Sequence, residues 1–262
     1  GQAFAGPMLE TLNANPGRWD LSSVGQMGSS GVMWSQENKQ GLLGHIPQVA
    51  LFDSFGSSEA VGLGASVSTK DGTTQTAKFA LGPACAVFTE DGRRVQPGSG
   101  ERGLVAVGGF IPVGYYKDEV KSAATFKVIE GQRWSMPGDW AEVNADGTLN
   151  LLGRGSVCIN TGGEKVFPEE VEAALKGHPA VFDAVVVGVP DERWGERVVA
   201  FVVPRDTAEP PTIDALRSLA AATLPPWAAP REVVLLGALP RTASGKVRRA
   251  ALRREHRPSP EG

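Results

Sequence analysis

Four short stretches combine residue types that could bind a phosphorylated ligand, and the first is DSFGSSE at residues 53–59. A strand-like run ends there in an aromatic residue, a glycine, two hydroxyls and a carboxylate. Phe55 could lie against a flat ring, and the hydroxyls of Ser57 and Ser58 could donate to phosphate or carboxylate oxygens. Glu59 could bind a Mg²⁺ that bridges phosphates. Alternatively, the stretch is a polar loop that begins a helix, with Glu59 as a first-turn charge.

The second and third stretches combine a turn with a charged residue. In PGDW at residues 137–140, Asp139 could accept bonds from two ribose hydroxyls or could be a turn residue bonded to its own backbone. In LGRGSVCINTGGEKVFPEEVE at residues 152–172, Arg154 could hold a ribose or a phosphate. The Gly162–Gly163 pair allows a ligand to approach the backbone closely, although a tight turn also needs glycines for conformational reasons alone.

The fourth stretch, LPRTASGKVRRAAL at residues 239–252, predicts a flexible loop at Ser244 and Gly245 that carries Lys246. A lysine in such a turn is by itself a solvated surface charge. Six arginines and one lysine between Arg241 and Arg257 oppose only one glutamate, a pattern shared by nucleic-acid patches and solvated terminal helices. Because interleaved aromatic residues are absent, we expect a solvated helix and no nucleic-acid partner.

Two parts of the chain, which differ in their residue patterns, must position these residues. Up to about residue 152, short β-rich runs alternate with glycine turns, and acidic-glycine turns at 90–92 and 145–147 are suited to antiparallel strands. Apolar residues among the first dozen positions are typical of the middle of a helix. Beyond Phe167 the expected order is helix, strand, strand, helix, strand, and the second helix runs from Thr212 to Pro225. The runs that predict strands are 49–55, 82–92, 100–109, 140–153, 180–190, 197–204 and 231–240. The fold class is therefore a β-rich α/β part followed by a small α+β domain.

Composition excludes several classes of protein. The chain has 262 residues, 41% hydrophobic, and its 26 basic and 29 acidic side chains give a net charge of -3, which indicates neither a nucleic-acid nor a membrane partner. Cys85 and Cys158 lie far apart without metal-ligand spacing. With no apolar run of about 20 residues, we expect no transmembrane segment and a cytoplasmic location.

In this order, the four stretches resemble motifs of the adenylate-forming enzymes, the superfamily of acyl-CoA synthetases, firefly luciferase and the adenylation domains of nonribosomal peptide synthetases. FGSSE is similar to the family's Tyr-Gly-x-Thr-Glu segment, PGDW to its Thr-Gly-Asp segment, residues 153–172 to its hinge motif and PRTASGK to its C-terminal lysine motif. GYYKDEVKSAATF at 114–126 resembles a fifth segment. The resemblance covers nearly the whole chain, and the fatty-acid and steroid-acid CoA ligases are its nearest branch.

The resemblance implies roles for individual residues. It implies a nucleotide and acyl site made by Ser30, Gly31, Phe55, Gly56, Ser58, Asp139 and Arg154, with Glu59 as the magnesium ligand. It makes Lys246 the catalyst of adenylation, Gly163 the residue beside which the thiol arm of CoA passes, and Ser156 the hinge pivot. Most relatives carry Asp or Lys at the pivot, and Asn160 likewise replaces a common lysine.

The implied organisation is an AMP-binding portion at residues 1–153 and a mobile domain at residues 154–262, with a hinge near 154–157. The implied reaction joins a fatty or steroid acid to coenzyme A with ATP and Mg²⁺. The family's phosphate loop, which ends in Pro-Lys-Gly, occurs nowhere in the 262 residues. We therefore expect the C-terminal portion of a ligase, with little adenylation activity of its own. The alternatives are a non-catalytic interaction domain and an enzyme that delivers acyl groups to a carrier protein; the sequence also allows a homodimer.

Overall fold

The structure is a computed structural model that describes residues 2–31, 34–72, 77–243 and 245–256. The chain divides into two compact units, Gly1–Leu152 and Gly153–Gly262. This division falls one residue before the predicted boundary. No helix within the described ranges is long and apolar enough to cross a membrane.

The first unit is built around a twisted ten-stranded sheet. Its elements are α1 Gln2–Ala14, β1 Gln26–Ser30, α2 Gln36–His45, β2 Ala50–Ser57, β3 Ala60–Ser68, β4 Lys78–Leu81, β5 Cys85–Phe88, β6 Arg102–Val107, α3 Glu119–Thr125, β7 Phe126–Ile129, β8 Gln132–Ser135, β9 Asp139–Val143 and β10 Thr148–Arg154. The strand order is β1-β2-β3-β4-β10-β9-β6-β8-β7, and β5 pairs with β6. The pair β1–β2 is parallel, with α2 as the crossover.

Local sequence explains how this unit forms. Ser35 caps α2 because its hydroxyl accepts a bond from the Asn38 backbone N–H at 3.3 Å. Helices α1 and α2 bury an apolar cluster with β1 and β2 that includes Leu12, Leu42 and Leu51. The acidic-glycine turns join β9 to β10 and close the hairpin after β5, as predicted.

The second unit is a five-stranded sheet covered on both faces. Its elements are β11 Ile159–Thr161, β12 Glu164–Val166, α4 Pro168–Lys176, β13 Val181–Asp191, β14 Gly195–Pro204, α5 Ile213–Thr223, β15 Glu232–Leu235 and α6 Arg249–Glu255, with single 3₁₀ turns at Gly155–Val157 and Pro226–Ala228. The order is β12-β11-β14-β13, and β15 pairs in parallel with β14.

Alternation along β13 explains the two-sided burial of this sheet. Ala184 and Val186 join the cluster beneath α4 and α5, whereas Val185 and Val187 join the cluster beneath α6. A strand buried on both faces reads as a continuous apolar run, which is why the sequence predicted β13 and β14. Thr212 caps α5 by accepting from the Ala215 backbone N–H at 3.2 Å, as its position predicted.

The prediction for the small domain was incomplete in one respect. Its elements have the expected order and are followed by the expected terminal helix, α6, but the hairpin β11–β12 that precedes them was not predicted. Each strand of the hairpin has only three residues, too short for an alternating pattern to be visible in the sequence. The fold class itself, α/β followed by α+β, is confirmed.

Candidate functional site

Two groups of predicted residues meet at one edge of the first sheet. Strands β1 and β2 run parallel, with Ser30 opposite Ser54. Their carboxyl ends therefore lie side by side: Gly31 follows β1, and Phe55 and Gly56 lie in the last three residues of β2. Such an edge of parallel strands is the usual position of a ligand site in α/β sheets.

Phe55 is fixed by an aromatic neighbour and by a glycine. Its ring centroid lies 4.9 Å from that of Phe79, and it is half-buried. Gly64 is the cross-strand partner of Phe55, and a side chain there would collide with the Phe55 ring. The Phe55 ring therefore occupies the space that a Cβ at Gly64 would fill.

Ser58 and Glu59 form a two-residue turn between β2 and β3, where Ser57 pairs with Ala60. The alternative expectation, a loop that begins a helix, is wrong because the chain returns at once as a strand. A Cβ at Gly56 would lie 3.0 Å from the Ala60 carbonyl, so the turn is tight. Ser58 is exposed and Glu59 is half-buried.

Glu59 has two hydrogen-bond partners that the sequence reasoning did not assign. The Tyr115 hydroxyl donates to Glu59 Oε1 at 2.6 Å, and the Ser135 hydroxyl donates to the Glu59 carbonyl at 2.5 Å. The Lys121 ammonium lies 3.9 Å from the centroid of the Tyr115 ring. Tyr115 belongs to the GYYKDEVKSAATF segment, so the motif indicated the segment but not the contact.

Hydrogen bonds favour the ionised form of the Glu59 carboxylate. The Tyr115 hydrogen bond, followed by one from Ser57, lowers the pKa of Glu59 below its ordinary value, against a smaller opposing effect of burial. The described residues contain no cluster of three or more His, Cys, Asp or Glu side chains that could hold a metal ion. An ionised carboxylate is the kind of oxygen ligand that Mg²⁺ prefers, so Glu59 could hold such an ion.

Asp139 is the first residue of β9 and is half-buried. It follows Gly138, whose φ of 102° supplies the turn. Ser135, which bonds to Glu59, lies four positions earlier in the chain.

A buried ion pair lies beneath the predicted site and was not foreseen. Lys39 Nζ of α2 is 3.2 Å from Asp53 Oδ2 of β2, and the two residues are 0% and 3% exposed. Asp53 is opposite Ser29 in the parallel register. Burial raises the pKa of Asp53, and Lys39 opposes that rise. The pair connects α2 to β2, the strand that carries Phe55.

In the second unit, the predicted hinge residues lie where β10 ends. Arg154 is the last residue of β10, and Ser156 lies in the 3₁₀ turn; both are exposed. Gly153 has a φ of 139°, and a side chain there would collide with Glu169. Because the Glu169 side chain is flexible and could move aside, the backbone angle is the stronger reason for a glycine next to the predicted hinge.

Gly162 and Gly163 form the two-residue turn of the β11–β12 hairpin. Their φ values of 61° and 88° are both left-handed, as a type I′ turn requires. The Gly162 N–H donates to the Trp194 carbonyl at 2.8 Å, and a Cβ on Gly162 would lie 3.0 Å from the Trp194 ring. A Cβ on Gly163 would have no heavy atom within 4 Å. The turn alone requires both glycines, and the surface beside Gly163 is open.

Lys246 is exposed on a small closed loop. The Thr242 N–H donates to the Lys246 carbonyl at 2.8 Å, and the Lys246 N–H donates to the Thr242 hydroxyl at 3.2 Å. The Gly245 N–H donates to the Thr242 carbonyl at 2.9 Å. The backbones of Arg241 and Val247 form an isolated antiparallel β-bridge. Ser244, predicted with Gly245 to make this loop flexible, lies outside the described residues.

The basic segment that contains Lys246 is not a uniformly solvated helix. Three of its arginines form ion pairs with carboxylates: Arg241 with Asp183, Arg249 with Glu172 and Arg253 with Glu196. Leu252 of α6 is buried. The expectation of a solvated surface is therefore wrong for Arg241 and Arg249, whose side chains are each 26% exposed, whereas Arg253 is exposed as expected. Arg257 lies outside the described part of the chain.

Comparisons with known proteins identify the class of this chain. Residues 170–246 match the family of AMP-binding enzyme C-terminal domains. The structure of the amide bond synthetase McbA from Marinactinospora thermotolerans superposes with a TM-score of 0.80 and 27% identity, covering 96% of this chain and 51% of that one. The resemblance to adenylate-forming enzymes that the motifs predicted is confirmed.

Two curated relatives are more similar in sequence. The 3-oxocholest-4-en-26-oate–CoA ligase of Rhodococcus rhodochrous is 47% identical over 253 residues, which cover 94% of this chain and 45% of the relative. A medium/long-chain-fatty-acid–CoA/3-oxocholest-4-en-26-oate–CoA ligase of Mycobacterium marinum is 46% identical over 247 residues, covering 94% of this chain and 44% of the relative. The chain thus spans about half the length of the curated relatives it matches.

Proposed function

We propose that this chain is the C-terminal portion of an ATP-dependent acyl-CoA ligase. The observation that carries the proposal is the 46–47% identity to acyl-CoA ligases over 94% of the chain. The proposed substrate class, a fatty or steroid acid, comes from the names of those relatives. We leave the particular acid to an assay of AMP release with a panel of both kinds of acid.

In the proposed site of the first unit, Phe55 and Gly56 lie along the adenine, and Ser30 and Gly31 line the same pocket. Ser58 donates to the acyl carboxylate or to phosphate, and Asp139 accepts bonds from the ribose hydroxyls. Glu59 would hold Mg²⁺, which neutralises phosphate charge when bound. The support is the common sheet edge of the two strand ends and the ionised state of Glu59.

The second unit is proposed to supply the mobile groups. A carboxylate that attacks the α-phosphorus of ATP brings two anions together, and Lys246 offsets that repulsion in the pentacoordinate transition state. One carboxylate oxygen bonds to phosphorus as the bond to pyrophosphate breaks, which gives the acyl adenylate. The thiol sulfur of CoA then attacks the acyl carbon, AMP leaves, and the thiol proton passes to solvent.

Rotation about Ser156, with Arg154 beside the nucleotide, would exchange the Lys246 loop for the Gly163 turn between the two steps. A compact lysine charge suits the first step, and the open surface beside Gly163 suits the passage of a thiol arm in the second.

We predict that Lys246→Ala, in the complete ligase that contains this chain, abolishes adenylate formation but spares thioester formation from a supplied acyl adenylate. Acid-dependent ATP–pyrophosphate exchange measures the first step, and thioester release measures the second. Equal loss of both activities would refute the role of Lys246.

Gly163→Leu should have the reverse effect, because a bulky side chain beside the thiol path blocks the second step. Retained pyrophosphate exchange would also show that the variant folds, which matters because the φ of Gly163 disfavours other residues. Thioester formation at the parent rate would contradict the role of Gly163.

Replacing CoA by a carrier protein in the thioester assay of the parent ligase distinguishes the two proposed acceptors, CoA and a carrier-protein thiol.

The 262-residue chain alone is proposed to have little adenylation activity, because no phosphate-loop motif occurs in its sequence. The same pyrophosphate-exchange assay on this chain tests that point. Full turnover would contradict it, and absence of exchange even in the complete protein would favour the non-catalytic alternative.

A further inference from the structure

The Lys246 loop is connected to the core of the second unit through Arg241. The Arg241 guanidinium donates to the Gly245 carbonyl at 2.6 Å and forms an ion pair with Asp183 of β13. Asp183 is 7% exposed, and its carboxylate also accepts from the Ala184 N–H at 2.8 Å. A single planar fork therefore links the backbone next to Lys246 to a buried strand.

Arg249 makes a second connection at the other end of the same segment. Its guanidinium pairs with Glu172 of α4 and donates to the Val186 carbonyl of β13 at 2.8 Å. Glu172 is 7% exposed and also accepts from the Val186 N–H at 2.8 Å. Burial opposes the charge of Arg249, but Glu172 and Glu169 leave its pKa raised. The stretch between the two arginines is thus held at both ends.

We propose that Arg241 and Arg249 are positioning residues that hold the Lys246 loop in the conformation needed for adenylation. This inference rests on the proposed function. The ammonium of a lysine is carried on a flexible stem, so its placement depends on how firmly its backbone is held. Arginine suits the anchoring role because its fork can bridge two acceptors, here a carbonyl and a carboxylate, at once.

The anchor can be tested on this chain without any enzymatic assay. Arg241→Gln should accelerate amide hydrogen exchange of Gly245 and Lys246, measured by NMR, by about tenfold or more. The fold should survive because Lys176 Nζ, 3.0 Å from Asp183, still pairs with that carboxylate. Amides of β13 should remain protected.

Arg253→Gln is the matched control, because it removes another arginine–carboxylate pair of the second unit, 2.5 Å from Glu196, without touching the loop. In Arg253→Gln, the amides of Gly245 and Lys246 should exchange hydrogen at the same rate as in the parent chain. Unchanged loop exchange in Arg241→Gln would overturn the inference, as would equal acceleration in the control.

The functional effect is tested in the complete ligase. Arg241→Gln should lower pyrophosphate exchange by about tenfold or more while sparing thioester formation from a supplied acyl adenylate. Arg241→Lys should recover only part of the loss because an ammonium lacks the fork, and Arg249→Lys should likewise impair only the first step. Equal loss in both half-reactions, or parent activity despite a loosened loop, would overturn the positioning role. If Lys246→Ala itself retained pyrophosphate exchange, the proposed role of Lys246 in adenylation would fail. The hydrogen-exchange measurement on the loop would still decide whether Arg241 is an anchor.

Discussion

The pKa of Glu59 is lowered mainly by a hydroxyl from a distant part of the chain. Tyr115 lies 56 positions away, and its hydrogen bond is the largest cause of the lowered pKa of Glu59. A carboxyl whose folded pKa is below its unfolded pKa contributes stability above the unfolded value. That stability is lost as the pH falls through the folded value. The contribution is thus fully present at neutral pH and disappears only in acid.

We predict that Tyr115→Phe raises the pKa of Glu59 towards its ordinary value. The substitution removes the donor and keeps the ring on which Lys121 and Phe126 pack. An NMR pH titration of the Glu59 side-chain carboxyl carbon measures the change.

Tyr116→Phe is the control, because Tyr116 is the next residue in the chain and is 88% exposed. The Glu59 titration should be unchanged in that variant. Similar shifts in both variants would show that the Tyr115 hydroxyl is not the cause.

The sequence predicted that Glu59 could bind metal from its place at the end of a strand-like run, but it did not predict Tyr115 or Ser135. Nothing in the spacing of the three residues indicates contact, because they come from different strands and loops of one sheet. The pairing of those strands determines which hydroxyls reach Glu59. The motif therefore singled out Glu59, and only the tertiary structure identified its hydrogen bonds.

At the level of secondary-structure elements, the Lys39–Asp53 pair connects α2 to β2. We predict that Lys39→Met lowers the free energy of unfolding by about 3–5 kcal/mol, because the substitution leaves a buried carboxylate without its counter-ion. Urea unfolding of the chain measures the loss. The pKa of Asp53, already raised by burial, should rise further. The loss should therefore shrink at acid pH, where Asp53 takes up a proton in the folded variant.

Lys78→Met is the matched control. Lys78 pairs with Asp146 at 2.9 Å, but both side chains are substantially exposed to solvent. Removing that surface pair should cost less than about 1 kcal/mol. Comparable losses from the two variants would contradict the importance of the buried pair.

The elements differ in how far the sequence determined them. Strands β13 and β14 and helices α4 and α5 were predictable because long β-branched runs, an apolar stripe, Pro168 and Thr212 all favour the observed structure. Helix α2, QENKQGLLGH, is mostly polar and gives no indication that its lysine is buried. Its counter-ion, Asp53, lies on a different element, the strand β2.

At the scale of the whole molecule, each unit has its own hydrophobic core. The clusters around Leu42, Val105 and Phe88 contain only residues of the first unit. The clusters around Val186 and Val187 contain only residues of the second. A segment with a closed core of its own is expected to fold without its neighbour.

We therefore predict that residues 153–262, produced alone, unfold cooperatively in urea and give NMR signals that match those of the second unit in the complete chain. A fragment of residues 168–262 is the comparison, because it lacks Ile159 and Val166, which are buried in the core beneath α4. It should unfold at a lower urea concentration, since removal of two buried side chains exposes the core. The proposed rotation between two catalytic steps requires that the second unit keep its structure while it moves. A random-coil spectrum for residues 153–262 would therefore contradict both its independent folding and its role as a rotating domain.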